Sequence, residues 1–374
     1  MNVARDIAGF ALPFAGGVLL TALAGTISCT NAGIIHLITL LCLFGTCITL
    51  LARKHLRLTP IVTQSLILSC ACLCGMLSGL TELSMEHGLP ASWVEGIAAR
   101  FGERMKNAID SIGFRSSESN ALIKALLTGD RSALTAEISE AFRDSGASHI
   151  LALSGLHLGI IYGALSWALS ILGNSVYISR LRSIFIILAC GFYTITTGAG
   201  PSIVRAFLFI VLGETARMSG RGHNLRDILM SALMIQLIFA PHSVRSVGFQ
   251  LSYAAIAGIA FIYPWMKEFW PSDNATTIAG HCLGKGMKGL WNSMALSISC
   301  QITTGPIAYL YFGTFPRHFL LTNLLALPLT SLLIPTAILT LVLSVIGWCP
   351  TWFINMTESL VNALIWSLKV ISTM

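Results

Sequence analysis

The chain alternates long apolar runs with short polar breaks. The runs lie near residues 10–29, 33–51, 61–80, 148–172, 183–198, 201–218, 227–241, 248–266, 290–312, 319–347 and 352–371. A bilayer core about 30 Å thick takes ~20 helical residues to cross, at about 1.5 Å each, so these read as about ten or eleven membrane-spanning helices. The run 201–218 is short and holds Arg205, and 319–347 contains Pro328 and Pro335, so both lie at the margin of that rule. The first run lacks the small-residue pattern of a cleavage site and is expected to stay in the mature chain.

One long segment, 81–147, breaks the rhythm. Along SWVEGIAARFGERMKNAIDSIGF, residues Trp93, Ile97, Phe101, Met105, Ile109 and Ile112 recur every three or four positions after a capping box of Ser92 and Glu95. The opposite face carries Glu103, Arg104, Lys106 and Asp110, which fits a helix lying in the headgroup plane; packing against the bundle would give the same pattern. Further helices are expected over 118–128 and 136–144, the latter stopped by Gly146. The fold class is therefore all-α, a polytopic integral membrane protein with extracytoplasmic amphipathic helices. Three parts follow: an N-terminal three-span region, 1–80; extracytoplasmic interfacial helices, 81–147; and a multi-span core, 148–374.

Composition sharpens this reading. Only 10% of residues are charged and 55% are hydrophobic, with mean hydropathy +0.77, against ~25% charged in soluble domains. Most of the ten cysteines sit inside apolar runs. In SCACLCG, helical spacing turns Cys72 away from Cys70 and Cys74, so they read as small packing residues and not as a metal site.

Strict alternation of spans collects Arg53, Lys54, Arg57, Arg180, Arg182, Arg217, Arg221, Arg226, Lys267, Lys285 and Lys288 on one side, while the opposite short loops hold Arg245 and Arg317. By the positive-inside rule the basic side is cytoplasmic. That places the N-terminus inside, and the segment 81–147 and the C-terminus outside. The net charge of +7 follows from topology alone and is no nucleic-acid footprint by itself.

The blocks GDRS, FRDSGASHILALSGLHLG, GAGPSIVRA and GFQLSYAAIAGIAFIYP follow one another between about residues 120 and 266. In this order they resemble the core of the ComEC-type competence family, inner-membrane channels through which single-stranded DNA enters naturally transformable bacteria. The resemblance implies a bacterial inner-membrane channel or permease for importing single-stranded DNA, not an enzyme, with no cofactor. Its implied partners are the DNA strand, membrane lipid, a separately encoded nuclease, a DNA receptor, an ATP-driven motor and further copies of the chain. Members of this family often carry an extracytoplasmic oligonucleotide-binding β-domain and a metallo-β-lactamase-like domain. The stretch between Leu80 and Ser92 leaves no room for the first, and no HxHxDH cluster for a two-metal hydrolase is present. Nor is there a G-x-x-x-x-G-K-[ST] loop for ATP. Those tasks are expected of partners, or the chain has a narrower role.

Single residues carry the rest. Ser154 and Gly155 fall about a third of the way into a span, where glycine weakens a helix and serine satisfies freed backbone groups. Close helix packing is the ordinary alternative. His149 reads as a surface histidine at the outer interface, and the deeper His157 as a polar pathway or packing residue. Arg205, flanked by apolar residues in PSIVRAFLFIVLG, is expected to point into the bundle, where a guanidinium suits phosphate. A pair with Glu214 or Glu358, or snorkelling to the interface, would also hold it. Gly129 opens the GDRS block, in which Asp130 and Arg131 pair with each other or orient the loop. Gln250 and Ser252 add polar groups to another span, and Phe192, Tyr193, Phe249 and Tyr253 could stack bases or simply pack.

Two rival classes meet the same residues. An intramembrane serine protease would need Ser154 beside a histidine of another span, for which His36 is the candidate. A small-solute secondary transporter would show an inverted repeat, and none is evident.

Overall fold

A computed structural model of the chain describes residues 3–24, 32–51, 59–84, 92–151, 154–173, 175–220, 224–269, 278–313 and 318–373. Among them every regular element is helical. In chain order these are α1 (Val3–Ala24), α2 (Ala32–Leu51), α3 (Pro60–Ser84), α4 (Ser92–Asp110), α5 (Ser117–Thr128), α6 (Ala136–Asp144), α7 (Ser148–Leu151) and α8 (Gly155–Ser170). Then follow α9 (Val176–Thr196), α10 (Pro201–Met218), α11 (Leu225–Phe239), α12 (Val247–Ala257), α13 (Tyr263–Glu268), α14 (Ile278–Phe312), α15 (Phe319–Ile346) and α16 (Thr351–Ser372). A 3-10 turn covers Pro241–Arg245 and a π turn Gly258–Ile262.

The chain is an all-α membrane protein, and among the described residues the expected spans fall on helix, with a break at Ser154 inside the run 148–172. Among the described residues, four helices are long and apolar enough to cross a bilayer: Val62–Leu80, Val176–Thr196, Val247–Glu268 and Phe319–Ile346. Shorter apolar helices cover Gly9–Ala22, Ile38–Leu50 and Gly155–Ser170. The basic loop residues Arg53, Lys54, Arg57, Arg221 and Arg317 lie outside the described residues, as do the side chains of Ser92, Trp93, Glu95, Ile97 and His36.

Two compact units divide the chain, Met1–Leu89 with Arg221–Ala257, and Pro90–Gly220 with Gly258–Met374. In the first, α1 and α3 touch backbone to backbone. A Cβ on Gly75 would collide with the Phe14 carbonyl oxygen, and one on Gly17 with that of Cys72. Gly75 and Gly79 form the small-xxx-small spacing that permits such approach in lipid, where van der Waals packing replaces the hydrophobic drive. The cysteine run of α3 thus meets α1 through the carbonyl of Cys72.

The second unit is built around one apolar cluster. Ile109, Leu122, Ile123, Leu126, Leu127, Ile138 and Phe142 join Leu158, Ile186, Ile203, Leu333, Ile334, Val361 and Leu364 in it. The polar segment before the bundle therefore contributes to the core: α5 buries seven of its twelve residues. Local chemistry sets its breaks. Gly129, at φ +81°, ends α5 in the left-handed conformation that glycine adopts without strain. Thr135 caps α6 by accepting from the Ile138 amide, and Gly146, also at φ +81°, closes the turn after α6. Ile109 of α4 and Ile112 of the turn after it point into the fold, while Phe101 stays 37% exposed and meets Phe192 edge to face at 5.4 Å.

Candidate functional site: a polar helix junction inside the bundle

The apolar run 148–172 is interrupted. α7 ends at Leu151, and α8 starts at Gly155 with Ser154 as its N-cap in extended backbone. Ser154 Oγ accepts from the Leu156 amide at 3.3 Å, and the Ser154 amide donates to His157 Nδ1 at 3.2 Å. A buried helix start leaves amides that lipid cannot satisfy, so the side chains of the first turn do so. Ser154 Oγ also lies 3.2 Å from His157 Nδ1, an arrangement made within one helical turn as part of the cap. His157 is fully buried, and its Nε2 has no hydrogen-bond partner among the described residues. His149 is exposed, one turn before the break, with Nδ1 3.2 Å from the Gly146 carbonyl.

The second half of the junction is the start of α10. Gly198 (φ +82°) and Ala199 (φ +48°) turn the chain sharply, the latter a conformation that costs an alanine strain. Gly200 then caps the helix and Pro201 opens it, where a missing amide hydrogen costs nothing. The Gly155 amide donates to Ser202 Oγ at 3.3 Å, and a Cβ on Gly155 would stand 3.1 Å from that of Ala206. A side chain at 155 would therefore crowd α10, and the neighbouring helix would have to give by a few tenths of an ångström. Arg205, 4% exposed, sits one turn beyond Ser202 and is engaged inside the bundle.

Further down the same pair, Tyr162 Oη donates to Glu214 Oε1 at 2.8 Å. With Gly155 beside Ser202 and Tyr162 beside Glu214, α8 and α10 run parallel and both N-termini share one end. The half-buried starts of both helices thus lie side by side, with His157 and Arg205 each buried within the first turns of its own helix.

The other end carries a cluster that sequence reading did not single out. Glu214 is fully buried and also accepts from Ser183 Oγ of α9 at 2.6 Å. Arg217 lies 3.0 Å from Glu214 Oε1 and donates to Tyr162 Oη at 3.2 Å. The visible signal was an i, i+3 acid–base pair at the end of an apolar run. Arg205 and Glu214 stand nine positions apart on α10, which places them about 14 Å apart and on opposite faces, so that expected pairing is not made. Glu358 accepts the Ser116 amide at 2.7 Å.

Asp130 orients its loop. Its Oδ1 accepts from the Ser132 amide at 3.0 Å and the Ser132 hydroxyl at 2.7 Å, and Oδ2 lies 2.9 Å from Lys106 Nζ of α4. The Ser132 hydroxyl and the Lys106 ammonium hold the Asp130 carboxyl well below the usual carboxylate range. Its partners are thus Lys106 and Ser132, whereas Arg131 is exposed. In α9, Phe192 is exposed, and Tyr193 is buried and donates to the Leu127 carbonyl at 3.1 Å, tying α5 to the bundle.

Gln250 and Ser252 belong to the first unit. Gln250 Nε2 donates to the Val244 carbonyl at 3.0 Å, closing the 3-10 turn; Ser252 is half-buried. Phe249 packs on Tyr253 with ring centres 4.5 Å apart, and Tyr253 Oη donates to Gln236 at 3.0 Å. Among the described residues, no three His, Cys, Asp or Glu side chains group closely enough for a metal ion.

Comparison with known proteins adds a family to this geometry. ComE operon protein 3 of Bacillus subtilis (strain 168) is 28% identical over 220 residues, 58% of this chain and 25% of the relative. Competence protein ComA of Neisseria gonorrhoeae is 27% identical over 229 residues, 60% of this chain and 30% of the relative. Protein YcaI of Escherichia coli (strain K12) is 26% identical over 262 residues, covering 67% and 33%. The chain thus spans about a quarter to a third of the length of these relatives. No solved structure matches it. The sequence model of the family described as "Competence protein" matches residues 126–374, two-thirds of the chain, and the protein belongs to that family.

Proposed function

We propose that this chain forms the membrane channel through which single-stranded DNA is imported during natural transformation, in the bacterial inner membrane with its N-terminus in the cytoplasm. Family membership over residues 126–374 supports the setting. The observation that carries the chemistry is the junction of α8 and α10, where Arg205 and His157 are each buried in the first turns of their helices. A polyanion crossing lipid needs buried donors that are weakly hydrated and fixed in place, and a guanidinium meets phosphate oxygens two at a time. The motor, nuclease and receptor for the strand are separate partners in this reading, and Gly129, Asp130 and Arg131 shape the loop after α5. Gln250 and Ser252 play their part by bracing a span of the first unit.

Arg205→Gln tests the proposal. The variant is expected to reach the membrane at normal abundance and to lower uptake of labelled DNA into cells sharply. Arg205→Lys should restore part of it, because an ammonium keeps the charge without the planar fork. Normal abundance with normal uptake would overturn the role given to Arg205.

A further inference from the structure

Three contacts fix how the segment before the bundle stands against its last two helices, and a fourth sets the register of those two helices. At one end, Thr322 Oγ1 of α15 donates to the Ser145 carbonyl at 2.6 Å, and Lys369 of α16 pairs with Glu137 of α6 at 2.7 Å. At the other, Thr340 and Thr357 share a hydrogen bond of 2.8 Å, and Glu358 accepts the Ser116 amide at 2.7 Å. Thr322 and Thr340 are eighteen residues apart on a helix that is itself apolar and long enough to cross the bilayer, a separation of about 27 Å. Ser116 therefore lies most of a membrane thickness away from Ser145. It is joined there by α5, about 18 Å long, which runs beside α16 and returns to the level of Glu137. Exposed Trp348 and Trp352 mark the turn between α15 and α16 as an interface belt. Glu358 is six residues inside it, about 9 Å.

The loop Ser111–Ser116 that joins α4 to α5 is therefore inside the bilayer's span, yet its surroundings are polar. A cleft of about 420 Å³ is lined by Arg115, Ser116, Asn355, Glu358, Ser359 and Asn362. A second, of about 480 Å³, shares Arg115 and Ser116 and adds Asp110, Glu118 and Asn120. Asn362 stands at the middle of α16 and is exposed, as is Ser359. Hydrocarbon does not tolerate such groups unpaired; irregular backbone and charge at membrane depth occur where they line water.

We propose that α4 and α5 form a re-entrant hairpin whose tip opens a water-filled cleft deep in the membrane, and that the cleft binds a single nucleic-acid strand. Arg115 meets the phosphates, and the amides of Asn355 and Asn362, each both donor and acceptor, meet base edges. The choice of ligand rests on the function proposed above; the cleft itself does not.

Single cysteines at Ser359 and Asn362, and one at the exposed apolar Leu339 on α15 at the same level, separate the possibilities in isolated membranes treated with a hydrophilic maleimide. Labelling is read above that of the unaltered chain. A thiol in hydrocarbon loses its thiolate form, so Leu339→Cys should react at least about tenfold more slowly than Ser359→Cys or Asn362→Cys. Equal protection of all three would overturn the cleft, and equal reactivity would place α16 outside the membrane and overturn the re-entrant hairpin. A single-stranded oligonucleotide should then slow labelling at Asn362→Cys several-fold, and less so when Arg115→Gln is added. Reactivity unchanged by the oligonucleotide would overturn the ligand while leaving the cleft, whatever DNA uptake shows for Arg205.

Discussion

The amide of Ser116 donates to Oε1 of Glu358 at 2.7 Å, across 242 residues of chain. This bond fastens the tip of the α4–α5 hairpin to α16 through a carboxylate that is 7% exposed. Hydrogen bonds to charged groups contribute about 1.5–3 kcal/mol. Glu358→Ala is expected to lower the unfolding temperature in detergent and to expose the 111–116 loop to protease. Glu358→Gln, which keeps an acceptor oxygen, should lose less. An unchanged melting curve for Glu358→Ala would mean that the hairpin is held by the apolar cluster alone.

Glu214 and Arg217 invite a different experiment, because the acid is fully buried and the base about a quarter exposed. Arg217→Met leaves the carboxylate, among the described residues, with the hydroxyls of Tyr162 and Ser183, and breaking such a pair costs about 3–5 kcal/mol. Adding Glu214→Gln removes the stranded charge, so the double variant should recover most of that loss. A double variant as unstable as Arg217→Met alone would show that the cluster is not held by charge.

Acid should loosen the loop after α5. Folding lowers the pKa of Asp130, through the Ser132 hydroxyl and the Lys106 ammonium. The stability this contributes is complete above the unfolded value near about 3.9 and is lost as pH falls towards the lower folded one. Thermal melts of the unaltered protein and of Asp130→Asn should differ by a constant gap from about pH 7 to 5, and the gap should narrow below about pH 4. High salt should shrink it as well, since Lys106 and Asp130 are both part-exposed. A gap that widened on acidification would contradict this assignment.

Much of the architecture is legible in the order of residues. Apolar runs of crossing length mark helices because lipid offers backbone groups no partner, and the positions of Gly129 and Gly146 follow from the left-handed turns that end α5 and follow α6. The Ser154–Gly155 break is visible for the same reason, as a helix weakener beside a capping side chain. The periodicity of α4 leaves two readings open: Ile109 and Ile112 are buried while Phe101 is partly exposed, and a one-dimensional pattern gives the apolar face of a helix without naming what covers it.

Side-chain partners are what the sequence left open. Asp130 bonds to Lys106 and Ser132, Glu214 to Tyr162, Ser183 and Arg217, and Glu358 to the Ser116 amide; most of these partners are dozens to hundreds of residues away. The sequence by itself determined the class of the molecule, because burying apolar runs in lipid and closing the backbone's hydrogen bonds depend on local composition and spacing. Only the tertiary structure decided which polar groups meet, because a buried charge is stabilised by a few atoms at about 3 Å, and such proximity is set by helix register and not by position along the chain.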